Sequence, residues 1–406
     1  MQRSKETSTL KLDKKKPAKK PQDKQLNCNT CGLYKFPLSP KMEPYGNFRK
    51  EIMLIGEAPG ETEDDRGKPF QGKSGRMLGK FLKRIGVDMF EDCIIVNAIR
   101  CHPDENRTPH KKEIDCCRVL LKETINEYMP KVIIPLGGVA VQSLIGDRWK
   151  LDLGGITKWR GWTIPDQDLK CWICPTYHPS FVLRDEEDAA VDNIFQRDLE
   201  NAFQHTQLPF PKNAPFEIEI IHDLSPLNDI KADLAAFDIE TTGLKPHATG
   251  HRVVCASVAD SPAHAYAFMI PGTRREREPF LGFLRNKAIG KMAHNIKFED
   301  TWCRHRLRTA VENWQFDSML AAHIIDNREG ITSLKFQTYI NFGIIDYASK
   351  VTPYLYGTDY KNANSHNRIY DADPDDLLFY CGCDSIYEYR LAMRQINEIN
   401  YSFLPF

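Results

Sequence analysis

Residues Glu51–Gly86 read EIMLIGEAPGETEDDRGKPFQGKSGRMLGKFLKRIG. The run EIMLIG has the length and apolar content of a strand buried on both faces. A Gly-rich loop follows it, then an amphipathic helix, RMLGKFLKRIG. Three more apolar runs repeat the pattern: CIIVNAI (Cys93–Ile99), KVIIPLG (Lys131–Gly137) and LKCWICPT (Leu169–Thr176), with helical stretches between them. Such alternation predicts an α/β domain with a central parallel sheet flanked by helices and a functional site at the strand C-termini. Polar groups fall at those ends: Glu57 and Glu63 after the first strand, Asn97 near the end of the second, His178 after the last. A lone Gly-rich loop or a lone loop histidine would carry little. Several strand ends converging on one edge carry more.

A second pattern begins at FEIEII (Phe216–Ile221) and reaches LAAFDIE (Leu234–Glu240). Side chains alternate along a strand, so Asp238 and Glu240 point to one side, close enough to share a metal. Hard Mg²⁺ or Mn²⁺ ions favour carboxylate oxygens, and a pair of them can serve phosphodiester hydrolysis. A D-x-E on a strand is by itself as consistent with a solvated edge. AHNIKFED (Ala293–Asp300) adds a second acidic site, and YCGCD (Tyr380–Asp384) sets Tyr380 and Asp384 four apart, on one helical face. Asp317, in FDSMLAAHIID, reads as a helix N-terminal residue with a structural role.

The 406 residues predict separate domains: a disordered basic tail over 1–25, a first domain over 26–204, a Pro-containing linker over 205–215 and a second domain over 216–406. The zero net charge is an average over 55 basic and 55 acidic residues. The tail, with KLDKKKPAKKPQDK, reads either as a solvated or targeting segment or as a salt-sensitive tether to DNA phosphates. No apolar run approaches the roughly 18 residues of a membrane span, and no signal peptide is recognisable. The expected location is cytoplasmic, with the nucleoid.

Twelve cysteines without a secretory signal argue against a disulfide framework. Cys28 and Cys31 form a C-x-x-C pair, and Cys101 and Cys117 lie far downstream. Spacing alone leaves three readings: buried free thiols, a four-Cys zinc site, or an iron–sulfur cluster. Cys171 and Cys174, in strand-like sequence, read as separately packed thiols.

From Cys28 to Phe203 the chain resembles the family 4, iron–sulfur uracil-DNA glycosylases. The resemblance rests on GEAPG-x-x-E-D with G-x-PF-x-G-x-x-G, on N-x-x-x-C (Asn97 to Cys101), on NR-x-P (Asn106–Pro109) with Glu113, and on HPS-x-x-LR (His178–Arg184). It implies a 4Fe–4S cluster on Cys28, Cys31, Cys101 and Cys117, with Cys116 adjacent to the fourth ligand. A glycosylase of this kind flips the nucleotide out of the stack. Phe70 would stack on the uracil, Asn97 would pair with its edge, His178 would stabilise the departing base anion, and Glu57 or Glu63 would position water. Asn106 matches another active-site position of the family.

From Phe216 to Ile399 the chain resembles the DnaQ-like exonucleases of the DEDD superfamily, Tyr-type branch, as in the proofreading domain of family A DNA polymerases. That resemblance implies an RNase H-like α/β domain with 3′→5′ exonuclease activity. It also implies two Mg²⁺ or Mn²⁺ ions on Asp238, Glu240, Glu299 and Asp384, and Tyr380 orienting the attacking water. The family has Asp where this chain has Glu299, with Asp300 next. The order of the two domains is similar to the front of a phage-type family A replicase. Since the sequence stops at Phe406, a separate polymerase polypeptide is the expected partner, with DNA the substrate.

Three functions follow from these readings. The first is a bifunctional enzyme for uracil excision and 3′→5′ degradation. The second is a proofreading exonuclease whose cluster domain only grips DNA or senses uracil without cutting it. The third is a non-enzymatic replisome module. Intact Glu57, Glu63, Asn97 and His178 count against the second, and the full acidic set against the third.

Overall fold

The computed structural model describes residues 27–184, 189–357, 359 and 361–402; the basic tail expected over 1–25 lies outside them. The chain divides into two compact units. One comprises 27–213 with 339–345, the other 214–338 with 346–402.

In the first unit β1 (Ile52–Gly56), β2 (Cys93–Asn97), β3 (Val132–Pro135), β4 (Ile164–Asp166) and β5 (Cys171–Ile173) form a sheet in the order β2-β1-β3-β5-β4. Its parallel centre is in register from Ile52 opposite Cys93 to Gly56 opposite Asn97, and Leu54 opposite Ile134. Every residue of β1, β2 and β3 is buried, as expected where helices cover both faces. Leu54 and Ile95 pack with Phe81 of the helix Lys73–Arg84 and with Phe195 and Leu199 of the helix Ala189–Gln204.

Two features depart from the expected plan. β4 runs antiparallel to β5 at the sheet edge; its sequence, IPD, is too short and polar to read as a strand. The segment 339–345, expected in the second domain, belongs to the first unit. There the buried Tyr339 hydroxyl donates to Asp166 at 2.7 Å. At Gly343 (φ 71°) a Cβ would meet the Pro165 carbonyl at 1.6 Å, so only glycine allows that approach.

In the second unit β6 (Glu217–Ile220), β7 (Leu234–Thr241), β8 (Val253–Ser261), β9 (His264–Met269), β10 (Gly290–Ala293) and β11 (Trp314–Asp317) lie in the order β11-β10-β7-β8-β9-β6. β7, β8 and β9 are antiparallel neighbours, whereas β10 pairs parallel with β7 and β11 parallel with β10. This mixed order is that of an RNase H-like α/β fold, with β6 added parallel at the β9 edge. The long helix Pro374–Ser402 lies against β7, β8 and β9. The Ser257 hydroxyl donates to the Cys381 carbonyl at 2.7 Å, fixing the helix on β8.

Candidate active sites

In the first unit the C-termini of β1 and β2 and the loop after β5 open on one cleft of about 680 Å³, lined by Glu57, Glu63, Phe70, Asn97, Asn106 and His178. The strand ends therefore bring together every glycosylase-type residue read from the sequence. Gly56 makes the floor: a Cβ there would lie 2.3 Å from Asn97 Oδ1 and 2.7 Å from the Phe70 ring. Phe70 has φ 55°, a left-handed conformation that costs a non-glycine residue roughly 1–2 kcal/mol. Gly75 permits it, since a Cβ there would meet the Phe70 carbonyl oxygen at 1.9 Å.

His178 is oriented by its neighbour. Its Nδ1 accepts from the Ser180 N–H at 3.2 Å and lies 2.7 Å from Ser180 Oγ. With Nδ1 an acceptor, the ring proton belongs on Nε2. Burial, and then Arg184, push the His178 pKa down to about 4, so the imidazole is neutral near pH 7. Its ring centroid is 6.4 Å from that of Phe70. Asn106 Oδ1 meets His102 Nε2 at 3.0 Å on the cleft wall.

The two glutamates differ. Glu63 is a clasp: Oε1 accepts from the Gly72 N–H at 2.7 Å and Oε2 from the Gly60 N–H at 3.2 Å, joining the two glycine loops. Those bonds direct its carboxylate at backbone amides, which counts against the water-positioning role offered to it in the sequence. Glu57 has no side-chain hydrogen bond among the described residues. Burial raises its pKa against the opposing effect of Arg184.

Cys28, Cys31, Cys101 and Cys117 line one small cavity with Cys116, Ile99 and Leu33. Cys28 and Cys31 come from a single helical turn capped by Asn27, Cys117 from the helix Lys111–Tyr128. Backbone N–H groups are directed at two of the sulfurs, Lys41 to Cys101 at 3.3 Å and Arg100 to Cys117 at 3.4 Å. Burial pushes the Cys117 thiol up to about 12, with further increments from Cys101, Cys28 and Cys31.

In the second unit, ligand oxygens of Asp238, Glu240 and Asp384 lie within 4.8 Å of one another. β7 presents the first two and the helix Pro374–Ser402 the third. Burial, then Asp384, raises Asp238 to about 7. Glu240 is raised well above the usual carboxylate range too, by burial and then by Asp238. Like charges held this close in a half-buried site favour a cation. Tyr380 stands close enough to Glu240 to act against that rise. Glu299 is buried outside the triad; its Oε2 lacks a hydrogen-bond partner, and Asp238 is the strongest charge acting on it. Asp300 is engaged elsewhere, paired with Arg304 and accepting from Trp314 Nε1 at 3.4 Å. Glu299→Ala is accordingly expected to lose metal-dependent degradation and Asp300→Ala to keep it, measured on a 5′-labelled strand; the reverse result would reassign the motif.

Sequence reasoning missed several residues here. Lys335 Nζ bonds Asp384 Oδ2 at 2.7 Å and also the Tyr380 hydroxyl, while the Tyr347 hydroxyl donates to Asp384. The Cys381 thiol is 3.6 Å from Asp238 Oδ2. Lys335 and Tyr347 stand far in sequence from the acidic motifs, so no spacing signals them. Asp317 proved structural: it caps the helix Ser318–Ile325 and accepts from the Asn295 and Ile296 N–H groups.

This geometry belongs with what the chain is similar to. Residues 43–203 match the uracil DNA glycosylase superfamily. The chain is 35% identical over 183 residues to the type-4 uracil-DNA glycosylase of Pyrobaculum aerophilum, an alignment covering 43% of this chain and 86% of that protein. Through its first unit the chain belongs to the type-4 uracil-DNA glycosylases. It is also 25% identical over 324 residues to the DNA polymerase of Bacillus phage SP01, covering 71% of this chain and 34% of that protein. Among solved structures, Brucella melitensis NrnC with bound Mg²⁺ aligns with 46% of this chain and 81% of its own, at 16% identity and a TM-score of 0.35.

Proposed function

We propose that the protein excises uracil from DNA with its first unit and degrades DNA from 3′ ends with its second, in support of a DNA polymerase carried on a separate polypeptide. The reading is carried by the convergence of Phe70, Asn97 and His178 on one cleft opened by Gly56 in the first unit, and by an independent carboxylate set in the second.

For excision, Phe70 stacks on the extruded base, and the Asn97 amide, both donor and acceptor, pairs with the uracil edge and disfavours cytosine. The neutral His178 donates from Nε2 to the base as negative charge develops there. Glu57, shielded but not bonded, offsets the cationic sugar and orients water. A 4Fe–4S cluster held by Cys28, Cys31, Cys101 and Cys117 would brace the loops around the cleft, and no chemical step uses it. For degradation, Asp238, Glu240 and Asp384, with Glu299, would hold two divalent ions, which supply an activated water and neutralise the leaving oxygen. Tyr380 orients the attacking water, and Lys335 offsets the carboxylates. The match to a phage polymerase supports a place in replication, with the nuclease proofreading for a partner.

The cluster gives the proposal a direct test. Anaerobically purified protein should be brown with about four irons and matching sulfide per chain. Cys117→Ser should lose the colour and lower the melting temperature of the first unit, while Cys116→Ser keeps both. Stoichiometric zinc without sulfide would refute the assignment.

A further inference from the structure

The helix Lys73–Arg84 borders a second groove, of about 580 Å³, lined by Arg66, Phe70, Gln71, Arg76, Gly79 and Lys83 among others. Phe70 lines both this groove and the base cleft, so the two meet at the side chain assigned to stack on uracil. Arg66, Arg76 and Lys83 are exposed, and none has an acidic partner among the described residues. Arg76 donates only to the Gln71 carbonyl, at 3.2 Å. The acidic residue in the lining, Asp88, spends its Oδ1 on the Phe90 and Glu91 N–H groups, each at 3.0 Å.

Arg76, Gly79 and Lys83 fall at i, i+3 and i+7, on one stripe of the helix. Arg76 and Lys83 are separated by about 10 Å along the axis, the rise of roughly three nucleotides in a B-form strand. Gly79 is unexplained by internal packing. A glycine inside a helix costs roughly 0.5–1 kcal/mol relative to alanine, yet a Cβ at this position would meet nothing within 4 Å. A bare stretch of helix flanked by unpaired cations suits a polyanion that approaches the backbone closely.

We infer that this groove carries the sugar–phosphate backbone of the DNA strand flanking the extruded uracil, with Arg76 and Lys83 on phosphates and Gly79 giving clearance. The inference rests on the uracil-excision reading and adds to it the path of the strand.

The test is binding of labelled single strands, with and without one uracil, to the full-length protein across a salt series, alongside excision kinetics. Arg76→Ala with Lys83→Ala should weaken binding of both strands roughly tenfold or more at low salt and flatten the salt dependence by about two phosphate contacts. KM for excision should rise while single-turnover excision at saturating DNA holds. Gly79→Glu should weaken binding likewise without lowering the melting temperature, since glutamate favours the helix and space is open for it; this separates a lost contact from a lost fold. Lys122→Ala, outside the groove and equal to Gly79→Glu in its change of charge, should leave binding unchanged. Wild-type affinity and salt slope in both the double variant and Gly79→Glu would overturn the inference. Since the uracil-free strand reads the groove without any chemistry, a protein that binds as described but leaves uracil in place would refute the excision reading and not the groove.

Discussion

Asp238→Ala is expected to abolish metal-dependent degradation from 3′ ends while leaving uracil excision at its wild-type rate. Asp238 holds the middle of the nuclease site: it shares the triad with Glu240 and Asp384 and exerts the strongest charge on Glu299. The thiol beside it, Cys381, is raised well above its ordinary pKa by burial and so offers no thiolate in its place. The excision cleft belongs to the other compact unit and contains none of these residues. Asp238→Asn gives a readout independent of activity. It removes a half-buried charge repelled by its neighbours, so the second unit should melt a few degrees higher without metal, and the rise that Mg²⁺ or Mn²⁺ gives the wild type should disappear. A variant that degrades DNA normally, or a wild type whose melting ignores divalent ions, would contradict the assignment.

His178→Ala is expected to slow uracil excision by roughly 10²–10³-fold at saturating DNA, the scale for one donor aimed at developing charge. His178→Gln, which keeps an N–H donor, should lose less. The sign of the pH dependence follows from burial. With the folded pKa lowered from 6.5 to about 4, the imidazole is already neutral above pH 5. Excision should therefore show no His178 inflection near pH 6.5. As pH falls from about 6.5 towards 4 the unfolded chain takes up the proton first, so this residue's share of stability is lost over that window. An inflection near 6.5 that vanishes in His178→Gln would mean that the charged form is catalytic.

Much of this was legible in the sequence, because local patterns fixed it. The apolar runs of β1, β2 and β3 marked the sheet, and strand ends delivered Glu57, Asn97 and His178 to a common edge. The alternation of Asp238 with Glu240 and the four-residue step from Tyr380 to Asp384 likewise survived into three dimensions. What escaped depends on contacts between distant segments. β4 is a three-residue edge that only pairing makes a strand. Glu63 reads from the sequence as a group to position water, and the Gly60 and Gly72 amides that reach it come from contacts the sequence does not signal. Lys335 and Tyr347 converge on Asp384 through tertiary packing. Glu299 and Asp300 are adjacent in sequence and are separated only by the turn of one short helix, which buries the first and leaves the second to Arg304.

The central claim is that one chain carries two unrelated hydrolytic sites. It is tested most directly by incubating the purified protein with 5′-labelled single strands, one containing a single uracil and one without, each with Mg²⁺ and with EDTA. With EDTA, only the uracil strand should change, acquiring an abasic site that alkali cleaves at that position. With Mg²⁺, both strands should also shorten progressively from the 3′ end. Uracil strands free of abasic sites in EDTA, or no shortening of either strand with Mg²⁺ or Mn²⁺, would contradict it.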